Sequence, residues 1–498
     1  MEFTELADYA LPAGHLTEWI PTTGDNLKSW AIDDRPLTYE HESHYLRGSG
    51  SCSENDWLGA VFEIHHRYDR DAVRRTLTTW MRRHEAFRTT VTKGPDTPDD
   101  PNVLRRSTNS GEQLDVTPLE VGLLRTGTRV HQHLAELFDT KISPLQWPHC
   151  LAATITGDNT SGRSGFLLIF GADHSVMDAY SMLLSINEIQ RIYGAELYGT
   201  DAGLPAIGSH IDFSTADRAI GSRLDFDDPV VTTWRQFLDS SGGEFPMFCL
   251  PVTPKSSAIA PHSLQNGSSS WLLSATEADS ISSHSRLLGT TLASAVIAAL
   301  ALASRELSGE DTLRFVMPMH TRTESQYAES VGWYVGMIPV EVDITGLDTF
   351  ADCVDAAADS VSSTKSFSRF PFPRVAQLLG HHSAPRFVVS YLDVRFVPGA
   401  GDWEQWHART LRSTAYSNDE VYMWIARTPV GMTISARYPG NNVATTNVHG
   451  FIDVLGAILG DVAHSAVAVL SDSVEGNRAA TLPLSSLTAL GSRDKFPA

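Results

Sequence analysis

The residues best suited to chemistry lie in one short stretch, Asp173-His174-Ser175-Val176-Met177-Asp178-Ala179, where a histidine stands four positions ahead of an aspartate. Imidazole is the side chain whose ordinary pKa suits proton transfer near neutral pH, and a loop between a strand and a helix is where a rigid scaffold presents reactive groups. His174 is therefore a candidate general base. Spacing alone does not carry that assignment, because a chain with 19 histidines meets His-x-x-x-Asp by chance. Taken bare, the pattern reads as a histidine satisfied by local hydrogen bonds and an aspartate capping a helix.

The flanking sequence predicts how the stretch is held. Residues 166–170 form an apolar run, preceded by another at 151–155 and a turn rich in Gly, Asn and Ser, the pattern of a buried hairpin. Beyond the loop, residues 179–197 carry Met182, Leu183, Ile186, Ile189 and Ile192 at three- and four-residue steps, which predicts a helix with Asp178 at its N-cap. Upstream, a strand is expected at 57–64, a helix at 71–84, a strand at 88–91, a Pro/Asp-rich loop at 94–102 and a helix at 128–138. Residues 199–229 are rich in Gly, Asp and Ser with little sustained periodicity. They read as a connection between lobes.

In the second half a strand is predicted at 270–273, then helices at 276–288 and 291–307, the latter Ala-rich and ended by Gly309. Apolar runs at 313–317, 337–342, 386–391, 421–426 and 432–437 read as strands, the last two joined by the turn 428–431. A helix at about 448–468 closes the pattern, and the tail after Ser471 is expected to be loosely ordered. The division expected is a first lobe at 1–199, a connection at 200–229 and a second lobe at 230–498.

Composition excludes several classes of function. The 498 residues are 42% hydrophobic, enough for a large core, yet no run of eighteen apolar residues offers a membrane span. The first residues lack the basic and apolar regions of a signal peptide, so a cytoplasmic location is expected. A formal net charge of -21 opposes nucleic acid, and no basic cluster interleaved with aromatics relieves it. The same charge mildly disfavours an acidic carrier protein. Cys52, Cys150, Cys249 and Cys353 show no Cys-x-x-Cys spacing and read as reduced thiols.

The stretch around His174 resembles the His-His-x-x-x-Asp-Gly motif of the condensation-domain and chloramphenicol-acetyltransferase-like superfamily. His174 matches the second histidine and Asp178 the aspartate; Asp173 replaces the first histidine and Ala179 the glycine. The resemblance spans most of the chain: Arg83-His84-Glu85-Ala86-Phe87-Arg88-Thr89, Pro144-Leu145-Gln146-Trp147, Gly289-Thr290-Thr291-Leu292 and residues 331–339 are similar to further segments of these proteins. Within the superfamily, residues 390–395 and 421–427 look closest to polyketide-associated acyltransferases of actinobacteria.

This resemblance implies an α/β fold of mixed sheets, with two similar lobes in a V-shaped pseudo-dimer and the site between them. It implies an acyltransferase with no metal or permanently bound cofactor, whose donor is a thioester on coenzyme A or on a carrier protein's phosphopantetheine arm. The acceptor is a small-molecule alcohol or amine, and the setting lipid or natural-product biosynthesis. It assigns His174 as base and Asp178 as a structural partner of Arg322, and suggests Ser390, Tyr391, Trp333 and Ala179 at the substrate channel. The alternatives are a carrier-dependent condensation enzyme of nonribosomal peptide assembly, forming an amide or ester, and a non-catalytic recruitment module. His65-His66, His381-His382 and His320 read as structural, and Arg83-His84-Glu85 as packing and ion pairing. The absence of a Gly-x-Ser-x-Gly elbow and of a cysteine within twenty residues of His174 favours direct transfer over an acyl-enzyme.

Overall fold

The computed structural model describes residues 3–23, 30–50, 56–94, 104–157, 165–254, 263–473 and 482–487. The Pro/Asp-rich loop, the turn before Phe166, Cys52 and most of the tail after Ser471 lie outside the described residues. The first half runs β1 (Phe3–Glu5), β2 (Gly14–Thr22), β3 (Trp30–Asp33), α1 (Tyr39–Gly48), β4 (Trp57–Ile64), α2 (Arg70–Arg83), β5 (Thr89–Lys93), β6 (Leu104–Asn109), β7 (Asp115–Leu124), α3 (Gly127–Lys141), β8 (Cys150–Thr156), β9 (Phe166–Asp173) and α4 (Ala179–Tyr198). Then come α5 (His210–Gly221), α6 (Pro229–Asp239), β10 (Gln265–Ser274), α7 (Ala275–Leu287), α8 (Leu292–Ser308), β11 (Thr312–His320), β12 (Val335–Asp343), α9 (Phe350–Thr364), α10 (Phe372–Leu379), β13 (Phe387–Asp393), β14 (Arg409–Arg412), β15 (Val421–Thr428), β16 (Gly431–Pro439) and α11 (Asn442–Ser473).

Two mixed sheets organise the molecule, one in the order β1-β14-β4-β9-β8-β2-β7 and the other β10-β16-β15-β13-β11-β12; β3, β6 and β5 form a small third sheet. All eight residues of β9 are buried, because β4 and β8 pair with it on either side and helices cover both faces. That explains its unbroken apolar run. Trp80, Phe170 and Ile189 pack on one face of this sheet, Leu134 and Phe138 on the other. In the second lobe the Ala-rich α8 is buried along nearly its whole length. Small side chains let neighbours approach it from every side. α11 is apolar and long enough to cross a membrane, but Val448, Phe451, Leu455, Leu459 and Val462 lie in the second core.

Both ends of α4 are set locally. Asp178 accepts from the Ser181 N–H at its N-cap, and Gly199 ends it in the left-handed conformation at φ 68°. Gly309 ends α8 in the same way at φ 81°.

Two features differ from the sequence reading. The connection contains α5, whose buried face is His210, Ile211, Ser214 and Gly221. With Ile211 the one large apolar residue in it, that face leaves almost no hydrophobic period to read. Further, β14 comes from the second half of the chain but sits inside the first sheet, between β1 and β4. The segment leading to it packs there too, with Val394, Val397, Trp403 and Ala408 in the core of the first lobe. Residues 230–498 therefore do not form one lobe by themselves.

Candidate active site

β9 ends at Asp173, and the loop from there to Asp178 is fixed at both ends. The His174 N–H donates to the Asp56 carbonyl at 2.9 Å and the Asp178 N–H to the Gly332 carbonyl at 3.1 Å. The His174 ring lies against Trp333, with centroids 4.2 Å apart and planes at 36°. Its Nδ1 is buried without a partner among the described residues, which leaves Nε2 as the nitrogen facing a cavity of about 250 Å³.

Asp178 is completely buried and pairs with Arg322. Arg322 donates Nη1–H to Asp178 Oδ2 at 2.8 Å and Nη2–H to Oδ1 at 3.0 Å, the two-pronged geometry a guanidinium offers a carboxylate. The N–H groups of Ser181 and Tyr334 donate to the same carboxylate at 2.7 and 2.9 Å. Burial alone raises this pKa, but Arg322 and these donors outweigh it and hold Asp178 below 3.8. The pair joins the loop of the first lobe to the segment after β11 in the second.

That segment, residues 321–334, is tethered at several further points. Ser181 Oγ donates to the Gly332 carbonyl at 2.9 Å, and the Val331 N–H donates to His84 Nδ1 at 3.3 Å. His84 in turn pairs with Glu188 at 2.6 Å, and Arg83 contacts the same carboxylate. The expectation of ion pairing for Arg83-His84-Glu85 matches this geometry, since Glu85 also meets Arg35 at 3.0 Å. His210 Nε2–H donates to the Trp333 carbonyl at 2.9 Å, and burial pushes its pKa down to about 4, so it stays neutral. Gly332 packs against the His210 ring so closely that a Cβ there would lie 2.4 Å from Cγ.

Asp173, which stands where the resembling motif has a histidine, is also fully buried. Its charge is met by His44 of α1, whose Nε2 is 3.1 Å from Oδ1. Burial opposes the charge, yet His44 and the Ser175 N–H bring the Asp173 pKa down to about 2. Burial likewise opposes charge on His44, but Asp173 overcomes it and raises the His44 pKa above 6.5.

Ser390, Trp333 and Ala179 line the cavity, together with Tyr180 and His320. Tyr391 does not. Side chains alternate along a strand, so Ser390 and Leu392 of β13 face the cavity while Tyr391 packs against the second core. Ala179 and Tyr180 open α4, and first-turn N–H groups have no acceptor within a helix and sit at its positive end. Among the lining residues that sequence reasoning did not single out are Arg412, Arg437, Tyr422 and Trp424. Alternation in β15 puts Tyr422 and Trp424 on one face, whereas Arg437 and Arg412 come from the neighbouring strand β16 and from β14 of the other sheet. His65 lies 3.4 Å from Glu63, His66 packs on Tyr198, and His381 packs on Phe245 behind the Gly380 cap, all apart from the cavity.

A family model described as Condensation domain matches residues 57–393. Acyltransferase PapA3 of Mycobacterium tuberculosis is 25% identical over 483 residues, covering 91% of this chain and 97% of its own. The 2'-acyl-2-O-sulfo-trehalose (hydroxy)phthioceranyltransferase PapA1 of the same species is 24% identical over 482 residues, covering 94% of this chain and 90% of its own. The solved structure of PapA2 acyl transferase superposes with a TM-score of 0.80 at 21% identity, over 93% of this chain and all of that one.

Proposed function

The chain belongs to the condensation-domain family, and on that premise we propose that it is an acyltransferase carrying an acyl group from a thioester donor to a hydroxyl acceptor. The observation that carries this reading is His174 Nε2 facing a cavity to which both lobes contribute, on a loop locked by Asp178 and Arg322. The names of PapA1 and its relatives support lipid biosynthesis as the setting and a trehalose-type alcohol as the acceptor class.

Nε2 takes the proton from the acceptor hydroxyl as its oxygen attacks the thioester carbonyl carbon. The C–S bond then breaks, and the thiolate recovers that proton from Nε2. Developing charge on the carbonyl oxygen is met by the first-turn N–H groups of α4 at Ala179 and Tyr180. The donor thioester is carried by coenzyme A or by a carrier protein's phosphopantetheine arm, and no metal takes part.

The test is transfer from a panel of acyl-CoA and acyl-carrier donors to trehalose-type acceptors, followed by mass spectrometry of the ester. His174→Ala is expected to lower the rate on the order of 10²–10⁴-fold while the protein stays folded. Turnover within a few-fold of wild type would remove His174 from the role of base.

A further inference from the structure

A histidine base commonly has its second ring nitrogen held by an acceptor, which sets both the tautomer and the direction of the ring. His174 Nδ1 is buried without such a partner among the described residues. The direction in which Nε2 points therefore comes from what packs on the ring and what holds the backbone under it.

Three groups do this, and His44 of α1 touches each of them. The Trp333 ring lies on that of His174, and His44 meets the same Trp333 in a T-shaped contact, with centroids 5.4 Å apart and planes at 82°. The Asp56 carbonyl takes the His174 N–H, and the Asp56 carboxylate stands 4.0 Å from His44 Nδ1. Asp173, the residue before His174, accepts the N–H of Ser175, the residue after it, at 2.9 Å, and its Oδ1 is 3.1 Å from His44 Nε2. The centroids of the His44 and His174 rings are 6.5 Å apart. Where the resembling motif has two histidines in succession, this chain has one, and a second histidine ring stands beside it from α1.

We propose that His44 is a positioning residue for the reaction: bound to Asp173 and set against Trp333, it holds the His174 ring with Nε2 toward the cavity. This rests on His174 being the base. A simple tie between α1 and β9 needs the contact to Asp173 alone, whereas His44 also meets Trp333, which comes from the second half of the chain. Charge tightens the arrangement. Burial opposes protonation of His44, but Asp173 and then Asp56 outweigh burial and the Arg47 charge on the same helix. The other titratable groups beside it, His41 of α1 and His149 ahead of β8, have their pKa values pushed down by burial. A cation within about 6 Å of an indole centroid is drawn to it, more strongly where water is excluded.

Kinetics of the full chain well below its melting temperature test the assignment, with melting curves showing that each variant is folded. His44→Gln keeps a donor for Asp173 but loses the ring and the charge. Its kcat is expected to fall about 10- to 100-fold with little change in KM for either substrate. Combined with Trp333→Phe, the loss should be smaller than the product of the two single losses, since both act on one ring contact. Losses that multiply, or a raised KM with kcat unchanged, would overturn the proposal. The second reading is pH. Wild-type kcat should decline as pH rises through the His44 value above 6.5, where the cation is lost, and His44→Gln should lack that decline. A decline that persists in His44→Gln, or is missing from wild type, overturns the proposal. Asp173→Asn keeps the shape and removes the charge that protonates His44. It is expected to match His44→Gln in both readings and serves if that variant does not fold. Histidine-ring NMR, with the His174 signal identified by its loss in His174→Ala, needs no substrate, and the signal should move in His44→Gln. An unmoved signal overturns the proposal. A signal that moves in a protein that turns over no donor and acceptor supports the placement of the ring, and it is then the acyltransferase reading that fails.

Discussion

His44 and Asp173 form a buried charge pair, 3.1 Å apart, beside the loop that holds His174. One residue comes from α1 and the other ends β9, so the pair fastens the first helix to the strand that presents the base.

Its contribution to stability follows from the two pKa shifts. Asp173 is depressed from 3.8 to about 2, so its share is complete above pH 3.8 and is lost as pH falls toward 2. His44 is raised above 6.5, so its share is complete below pH 6.5 and is lost as pH rises through the higher folded value. The melting-temperature gap between wild type and His44→Gln is therefore expected to be widest between pH 4 and 6.5 and to narrow above it. A gap that widened with pH would contradict the charge pair.

Asp178→Ala and Arg322→Ala are each expected to destabilise the fold by about 3–5 kcal/mol, because either one leaves a buried charge alone. The double variant should be no worse than the single ones. Denaturant melts of the three proteins give the coupling, and additive losses would show that the residues act independently.

Gly332→Ala is expected to lower both melting temperature and kcat. The added methyl meets the His210 ring at 2.4 Å, so the ring or the 321–334 segment must move, and that segment carries Trp333. His210→Ala makes room for the methyl; the pair of substitutions should recover part of the activity that Gly332→Ala loses. No recovery would place the defect elsewhere.

Ala179→Gly removes a methyl from the cavity lining and restores the residue of the resembling motif. Bulkier acyl donors should gain in kcat/KM relative to short ones, with at most about 1 kcal/mol lost from helix stability. Kinetics across a series of acyl lengths will show a change in the ratio; a uniform change would mean that Ala179 does not shape the channel.

No acyl-enzyme is expected. Ser175 and Ser181 are buried, and Ser181 Oγ is engaged by Gly332 and Arg322, so neither is placed as a nucleophile. Intact-mass spectrometry with donor and no acceptor should show the unmodified chain. A stoichiometric acyl adduct that acceptor discharges would require a covalent step, with Ser390 the first residue to examine.

The legible parts of the site were those written locally. His174, Asp178 and the N-cap of α4 lie within one strand-loop-helix unit, where apolar period and a capping residue speak for themselves. Arg322 was reached only through resemblance, since nothing in its own surroundings marks it as the partner of a residue 144 positions away. His44, Arg412 and Arg437 gave no such signal, because their roles depend on strand and helix neighbours distant in sequence. Tyr391 shows the limit within a single strand: the run was read correctly, but its phase places Ser390 in the cavity and the tyrosine behind it.

The insertion of β14 between β1 and β4 bears on how the protein is made. A ribosome releases the first two hundred residues long before Arg409, and until that strand emerges β4 keeps a bare edge and β1 has no partner in the sheet. Domains usually complete themselves in order of synthesis, but here the earlier half waits on the later one. An exposed strand edge invites pairing with other chains, so a fragment stopped short of residue 409 carries an aggregation hazard that the whole chain closes. The two halves are thereby obliged to fold as one unit, and the cavity between them forms only once that unit is complete.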